Sequence, residues 1–164
     1  MSFLISAGAV LASSIAIAEE PSAAPTPGSP GIYVDHTIVA AKLAEAIASS
    51  KDPAAAPMAT TDQYLLSKVH RSKIAPPAIH PGWTELHLVL EGSATFVTGG
   101  KITTSAQGTP TGIEGGVSHK ISKGDAVIVP ANTPHWYKQI DGQITAIELR
   151  FLSPEPKALD TETR

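Results

Sequence analysis

The sequence predicts an all-β domain, built as a barrel or a sandwich and preceded by one short helix. From Gln63 onward the chain consists of short segments with extended character. Turn signals such as Glu91-Gly92 and Asp141-Gly142 separate these segments at regular spacing. Many short strands divided in this way are typical of a β-barrel or a β-sandwich.

The predicted elements follow in order along the chain. Residues 19–31, rich in Pro, Ser and Ala, form a linker, and the alanine-rich residues 37–49 form the short helix. Residues 51–62 are predicted to be a loop, because two prolines interrupt regular structure there. The strands are predicted at 63–74, at 85–100 as two strands with a break at Gly92, and at 119–122, 125–130, 135–140 and 144–152.

Residues 101–116 lie between the predicted strands as a hairpin-like excursion. We expect a mobile surface loop there rather than a lid over a substrate, since connecting segments usually run over the surface.

The first 18 residues are typical of a secretory signal peptide. They are apolar, rich in small residues, and end in Ala16-Ile17-Ala18, which matches the A-x-A cleavage pattern. We therefore expect a periplasmic or secreted protein with no membrane association after cleavage. A cytoplasmic protein is the alternative, because no Lys or Arg precedes the apolar run. The predicted organisation is a signal peptide at 1–18, a linker with the helix at 19–62, the barrel at 63–152 and a tail at 153–164.

Composition limits the possible partners and cofactors. The chain has 164 residues, enough for one domain with a substantial core, and a formal net charge of −3. This charge provides no basic surface, so we expect no nucleic-acid partner. The chain has no cysteine, which excludes disulfides and thiolate-bound zinc. Any metal would be held by His, Asp or Glu.

The segment ELHLVL places two polar side chains on a face that should be buried. Glu85, His87 and Val89 share one face of a strand, because alternate residues point the same way. An unpaired carboxylate or imidazole is costly to bury. Both groups therefore need a partner, which could be water, another side chain or a metal ion.

The opposite face of the same segment is apolar, with leucines at 86, 88 and 90. An apolar outer face has to be covered by the N-terminal segment, by the helix or by another subunit. We expect a homodimer, since association of two copies would bury these side chains.

Two separated segments carry residues suited to a metal site. In the first, His80 is followed after four residues by Glu85, and six further residues lead to a glycine. In the second, Gly124 is followed after five residues by Pro130, and then by His135. In these segments the chain resembles the cupin superfamily, whose two motifs are G-x5-H-x-H-x3,4-E-x6-G and G-x5-P-x-G-x2-H-x3-N. The resemblance spans roughly residues 63–152.

The resemblance implies a jelly-roll β-barrel whose motif residues bind one divalent metal ion. Carried over by position, the metal ligands are His80, Glu85 and His135. Two imidazoles and one carboxylate suit Fe, Mn, Ni or Zn, and three protein ligands leave coordination positions open.

The chain departs from the cupin motifs at three positions. Ala78 stands where the first motif has its first histidine, Asn132 replaces a glycine, and Gln139 replaces an asparagine. The methyl group of Ala78 cannot coordinate a metal. His87 could compensate as a fourth ligand, or it could line the cavity and hydrogen-bond to Glu85.

The predicted function is that of a metal-dependent cupin acting on a small organic molecule, with dioxygenase, isomerase or lyase chemistry. His87 and Tyr137 are the predicted catalytic residues, because both point toward the metal and could move a proton. The alternatives are a barrel that binds a small ligand or a metal without catalysis, and a vestigial barrel that has lost its metal. The substrate does not follow from the sequence.

Overall fold

The computed structural model describes residue 28 and residues 30–153, and this part contains one helix and eight strands. The helix, α1, spans His36–Ala48. The strands are β1 Ala54–Thr60, β2 Tyr64–Arg71, β3 Trp83–Thr98, β4 Lys101–Thr104, β5 Pro110–Glu114, β6 Val117–Ser122, β7 Ala126–Val129 and β8 His135–Leu152. The predicted signal peptide, most of the predicted linker and all but the first residue of the predicted tail lie outside the described residues. Within them, no helix has the length and apolarity needed to span a bilayer.

The fold is an antiparallel cupin-type jelly roll, which confirms the predicted all-β class. The main sheet has the order β1-β2-β8-β3-β6, and β7 also pairs with β3. The long strands β3 and β8 pair with each other from Trp83↔Leu152 to Thr98↔His135. Strands β2, β6 and β7 pair with one or the other of these two strands, and β1 pairs with β2, so residues on the inner face of the central pair lie at the middle of the barrel.

Both central strands are continuous, where the sequence predicted two strands each. β3 passes through Gly92, which has a φ of 79°, and the register shifts on either side of this residue. β8 passes through Gly142, which has a φ of 75°. A positive φ bends the chain without ending its pairing, because glycine has no Cβ to oppose it. The predicted break at Gly92 is therefore a bend within one strand.

The predicted loop at residues 51–62 is wrong, since most of it is strand β1. This strand pairs antiparallel with β2, from Ala54↔His70 to Thr60↔Leu65. The register shifts between Pro57 and Ala59. Among the described strands β1 pairs with β2 alone, so it lies at the sheet edge, where a proline is tolerated.

The predicted helix is confirmed to within one residue at each end. Asp35 caps its N-terminus, where the Oδ1 atom accepts a hydrogen bond of 2.7 Å from the backbone N–H of Thr37. Val39 and Leu43 are buried against two small residues of β1, Ala54 and Ala56. The helix thus covers the face of β1 that carries Ala54 and Ala56, and leaves Ala55 and Pro57 exposed on the other face.

β4 and β5 form a separate two-stranded sheet, which agrees with the hairpin-like excursion predicted between residues 101 and 116.

The outer face of the main sheet carries half-buried Leu86 and Leu88 beside Ile128, which is 67% exposed. The homodimer expected from this face stays a prediction.

Candidate metal centre

Three elements bring the predicted metal ligands together. His80 lies in the loop before β3, Glu85 points inward from β3, and His135 is the first residue of β8. The backbones of Glu85 and Val129 are paired, as are those of Thr98 and His135. One ligand atom from each of the three predicted ligands lies within 4.8 Å of the others. This group could hold a metal ion.

Individual distances describe the same convergence. The Nε2 atom of His80 is 3.2 Å from Oε1 of Glu85, and Nε2 of His135 is 3.5 Å from Oε2. The Glu85 side chain is 2% exposed, whereas that of His80 is 29% exposed. The group is therefore buried on the Glu85 side and open to solvent beside His80.

Backbone hydrogen bonds fix the two histidines. His135 and Ala78 exchange two backbone bonds of 2.9 and 3.0 Å, so Ala78 positions His135 although its methyl group cannot be a ligand. The carbonyl of His80 accepts a 3.4 Å bond from the backbone N–H of Asn132. Asn132 has a φ of 64°, the left-handed conformation for which a glycine or an asparagine is suited.

The ring of His135 is oriented for coordination through Nε2. Its Nδ1 atom donates a 3.2 Å hydrogen bond to the carbonyl of Thr133, since a carbonyl oxygen can only accept. In the neutral imidazole this leaves Nε2 as the atom with a free lone pair, facing Glu85. A backbone carbonyl on the far nitrogen is a common arrangement for metal-binding histidines.

One buried oxygen of Glu85 provides an independent test of whether a cation fits. Among the described residues, Oε1 accepts no hydrogen bond. The nearest nitrogens, Nε2 of His80 at 3.2 Å and Nε of Arg150 at 3.1 Å, are close but not aligned to donate. A buried carboxylate oxygen without a donor is costly. A cation bound by Oε1 would remove that cost, so these residues fit a metal.

Electrostatics keep the three groups in the protonation states that coordination requires. Burial lowers the pKa of His80 and of His135, so both imidazoles stay neutral at neutral pH. Burial alone would raise the pKa of Glu85, but the hydrogen bond from His87 and the positive charge of Arg150 lower it overall. Two neutral imidazoles and one carboxylate are the forms that bind a divalent cation.

His87 is buried beside these groups and hydrogen-bonded through both ring nitrogens. Nε2 is 3.2 Å from Oε2 of Glu85, and Nδ1 is 3.2 Å from the hydroxyl of Tyr137. Nδ1 also lies 3.4 Å from Oε1 of Glu148. Burial would lower the pKa of His87, but the bonds to the two carboxylates raise it overall. This is the arrangement of a cavity-lining histidine, the second of the two roles considered for it.

Tyr137 reaches the same cavity, whereas Gln139 does not. Tyr137 is 7% exposed, and burial raises the pKa of its hydroxyl. Gln139 is exposed and donates a 3.0 Å hydrogen bond to Asp141. The register of β3 and β8 shifts between Thr95 and Phe96, which leaves Lys138 as an extra residue. The strict alternation that would place Gln139 inside is lost at this bulge.

Sequence reasoning missed a buried ion pair behind His87. Glu148 is 6% exposed and is bound by both terminal nitrogens of Arg71, with one distance of 3.2 Å. Burial would raise the pKa of Glu148, but the bonds from His87 and Arg71 hold it at about 2. The available signal was a carboxylate at position 148, on the same face of the strand as the apolar residues Ile144 and Ala146, which are buried.

A pocket of about 110 Å³ opens over these groups. Its lining residues include His80, Glu85, His87, His135, Tyr137 and Arg150. This volume is below the roughly 300–1,000 Å³ typical of pockets for drug-sized ligands, so the space suits a molecule of only a few non-hydrogen atoms. We call it the metal-side pocket.

Several solved structures share the fold at low sequence identity. The protein TT1209 from Thermus thermophilus has a TM-score of 0.51 and 15% identity, over 76% of this chain and 100% of that one. The protein BH2720 from Bacillus halodurans has a TM-score of 0.50 and 13% identity, over 80% and 89% of the two chains. A cupin superfamily protein from Desulfitobacterium hafniense has a TM-score of 0.44 and 16% identity, over 60% and 76%. At these identities the similarity concerns the fold alone.

No functionally curated protein matches the sequence. The family described as the AraC-like ligand binding domain matches residues 61–164, well over half of the chain. This family is cupin-like, so the resemblance to cupins drawn from the two motifs is confirmed. The chain belongs to the AraC-like ligand-binding domain family.

Proposed function

We propose that this protein is a metal-dependent cupin that catalyses proton transfer on a small organic molecule. The observation that carries the proposal is the buried Oε1 atom of Glu85, which accepts no hydrogen bond from the described residues and lies 3.2 Å from Nε2 of His80, while Oε2 faces Nε2 of His135. A carboxylate in that position is explained most simply as a ligand of a divalent cation.

His80, Glu85 and His135 would hold the ion. When bound, a divalent ion supplies Lewis-acid chemistry, or activates dioxygen if it is iron, at the coordination positions left open by three protein ligands. His80 is the ligand nearest to solvent, so a substrate would enter beside it.

His87 is placed to hold or move a proton within the pocket. It lines the pocket, and its two nitrogens contact Glu85 on one side and Tyr137 with Glu148 on the other. Two carboxylates stabilise its protonated form, so it can accept a proton and keep it inside the protein. Tyr137 would orient His87 through the hydrogen bond to Nδ1.

The alternative function is ligand binding without catalysis. It is favoured by the description of the family as ligand-binding domains. In that case the metal and the pocket would recognise a small molecule, and His87 would only complete the hydrogen bonds of the two buried carboxylates.

Substitution of His87 separates these functions. The metal-loaded protein is incubated in D2O with a panel of small organic acids and carbonyl compounds, and conversion or C–H exchange is followed by NMR. We expect the wild type to act on at least one compound, and His87→Gln to lower the rate by about 10²-fold or more. His119→Gln, at an exposed position of β6, is the matched control. Equal rates in the wild type and His87→Gln would contradict the catalytic role, and a metal-loaded protein that acts on no compound would favour ligand binding.

A further inference from the structure

Arg150 lies at the boundary between two pockets of the barrel. The first is the metal-side pocket. The second, which we call the β1–β2 pocket, has a volume of about 240 Å³ and is lined by residues of β1, β2 and β8. Both Arg71 and Arg150 line both pockets. A molecule lying across the boundary would therefore meet two guanidinium groups.

The β1–β2 pocket is mainly apolar apart from the charged residues at this boundary. Its lining includes Ala55, Pro57, Leu65 and Val69, to which Thr60 and Ser67 add two hydroxyl groups. Short apolar side chains of this kind favour the hydrocarbon part of a ligand. The polar end of such a ligand would lie toward the arginines.

The two arginines differ in how their donors are used. Arg71 binds Glu148 through both terminal nitrogens. Arg150 approaches Oε1 of Glu85 with its Nε atom, and its side chain is 33% exposed. Its terminal nitrogens form no hydrogen bond with any residue of the described part of the chain. Arg150 thus offers a pair of donors in the planar arrangement that matches a carboxylate.

Charge balance also favours an anion. The two arginines balance the carboxylates of Glu85 and Glu148. An imidazole binds a metal ion in its neutral form, so His80 and His135 would add no negative charge as ligands. A divalent cation bound by the proposed ligands would leave positive charge uncompensated in a largely buried site. An anionic ligand would neutralise part of it.

We propose that the two pockets bind a small organic carboxylate, with its carboxylate on the terminal nitrogens of Arg150 and its apolar chain in the β1–β2 pocket. The proposal rests on the proposed function, because the bound cation supplies the excess positive charge. It narrows the substrate class to short organic acids.

Calorimetric titration with matched probes tests the assignment. The Zn²⁺-loaded protein is titrated with acetate, butanoate and butanamide, the last of which has the shape of butanoate without its charge. We expect butanoate to bind at least about tenfold more tightly than butanamide, since hydrogen bonds to charged groups are the stronger ones. We also expect affinity to rise about fourfold for each methylene group buried beyond acetate.

Variants of Arg150 identify the residue responsible. Arg150→Gln should abolish the preference for butanoate over butanamide, and Arg150→Lys should retain only part of it, because lysine lacks the planar pair of donors. Lys138→Gln removes the same charge from an exposed position of β8 and should bind like the wild type. Thermal unfolding of each variant checks that the fold is intact.

The outcomes separate this proposal from the proposed function, because the metal content of every sample is measured. A Zn²⁺-loaded protein that binds butanoate and butanamide equally, or an Arg150→Gln variant that keeps the preference, overturns the carboxylate site and leaves the metal centre standing. If the protein takes up no Zn²⁺, the metal centre fails. The same titrations are then made on the metal-free protein. Tighter binding of butanoate than of butanamide supports the role of Arg150, and equal binding of the two overturns it.

Discussion

At the scale of single residues, the site is a chain of buried polar groups linked by hydrogen bonds and ion pairs. Glu85 contacts His87, which in turn contacts Glu148, and Glu148 is paired with Arg71. A charge buried in this way is stable only while its partner is present. The motif residues of this network could be predicted from the sequence. Arg71 and Glu148 could not, because 77 residues separate them and only the pairing of β2 with β8 brings them together.

Removing one member of the pair should cost more than removing both. Arg71→Met leaves Glu148 as an unpaired buried carboxylate, and we expect it to lower the free energy of unfolding by about 3–5 kcal/mol. The double variant Arg71→Met/Glu148→Leu should be less destabilised than Arg71→Met alone. Urea unfolding of the wild type, both single variants and the double variant measures this. A double variant whose loss equals the sum of the two single losses would show that the pair is not coupled.

At the scale of elements, the fold depends on two long bent strands that the sequence divides into four. Turn-forming glycines at 92 and 142 predicted strand ends, and the pairing of β3 with β8 overrides that local signal. The same holds for β1, where two prolines predicted a loop but pairing with β2 along the sheet edge supports a strand. Local signals predicted most of the extended segments, whereas tertiary pairing makes β1 a strand and decides where each strand ends.

The bend at Gly92 can be tested by substitution. A Cβ at this position would lie 2.0 Å from the backbone carbonyl oxygen of Gln143, in addition to the strain of a φ of 79°. We expect Gly92→Ala to lower the free energy of unfolding by at least about 3 kcal/mol, since the strain alone costs about 1–2 kcal/mol. Gly108→Ala is the matched control, because its φ is 81° and nothing lies within 4 Å of the added Cβ. Equal losses in the two variants, measured by chemical denaturation, would contradict the close approach of the two strands.

At the scale of the whole molecule, stability in acid should depend on Glu148. Its pKa is about 2 in the folded protein against an ordinary value of 4.5, so its ionised form stabilises the fold. That stabilisation is complete above pH 4.5 and is lost as the pH falls toward 2. Over this range His87 is protonated in both states and contributes no slope. A shift of this size corresponds to on the order of 3 kcal/mol.

Unfolding free energies between pH 5 and pH 2 measure this dependence. We expect the wild type to lose on the order of 3 kcal/mol more of its free energy of unfolding than Glu148→Gln over this range. Glu91→Gln, which alters an exposed carboxylate of β3, is the control and should behave like the wild type. Parallel curves for all three proteins would mean that Glu148 is not held ionised by its partners.

The metal content of the purified protein tests the central claim most directly, namely that His80, Glu85 and His135 hold one divalent cation. The protein is purified without chelator, dialysed against Zn²⁺ and then against buffer, and measured by elemental mass spectrometry. We expect about one metal ion per chain in the wild type and in His119→Ala, and far less in His80→Ala and His135→Ala. Little or no metal in the wild type, or the same content in His135→Ala, would contradict the account.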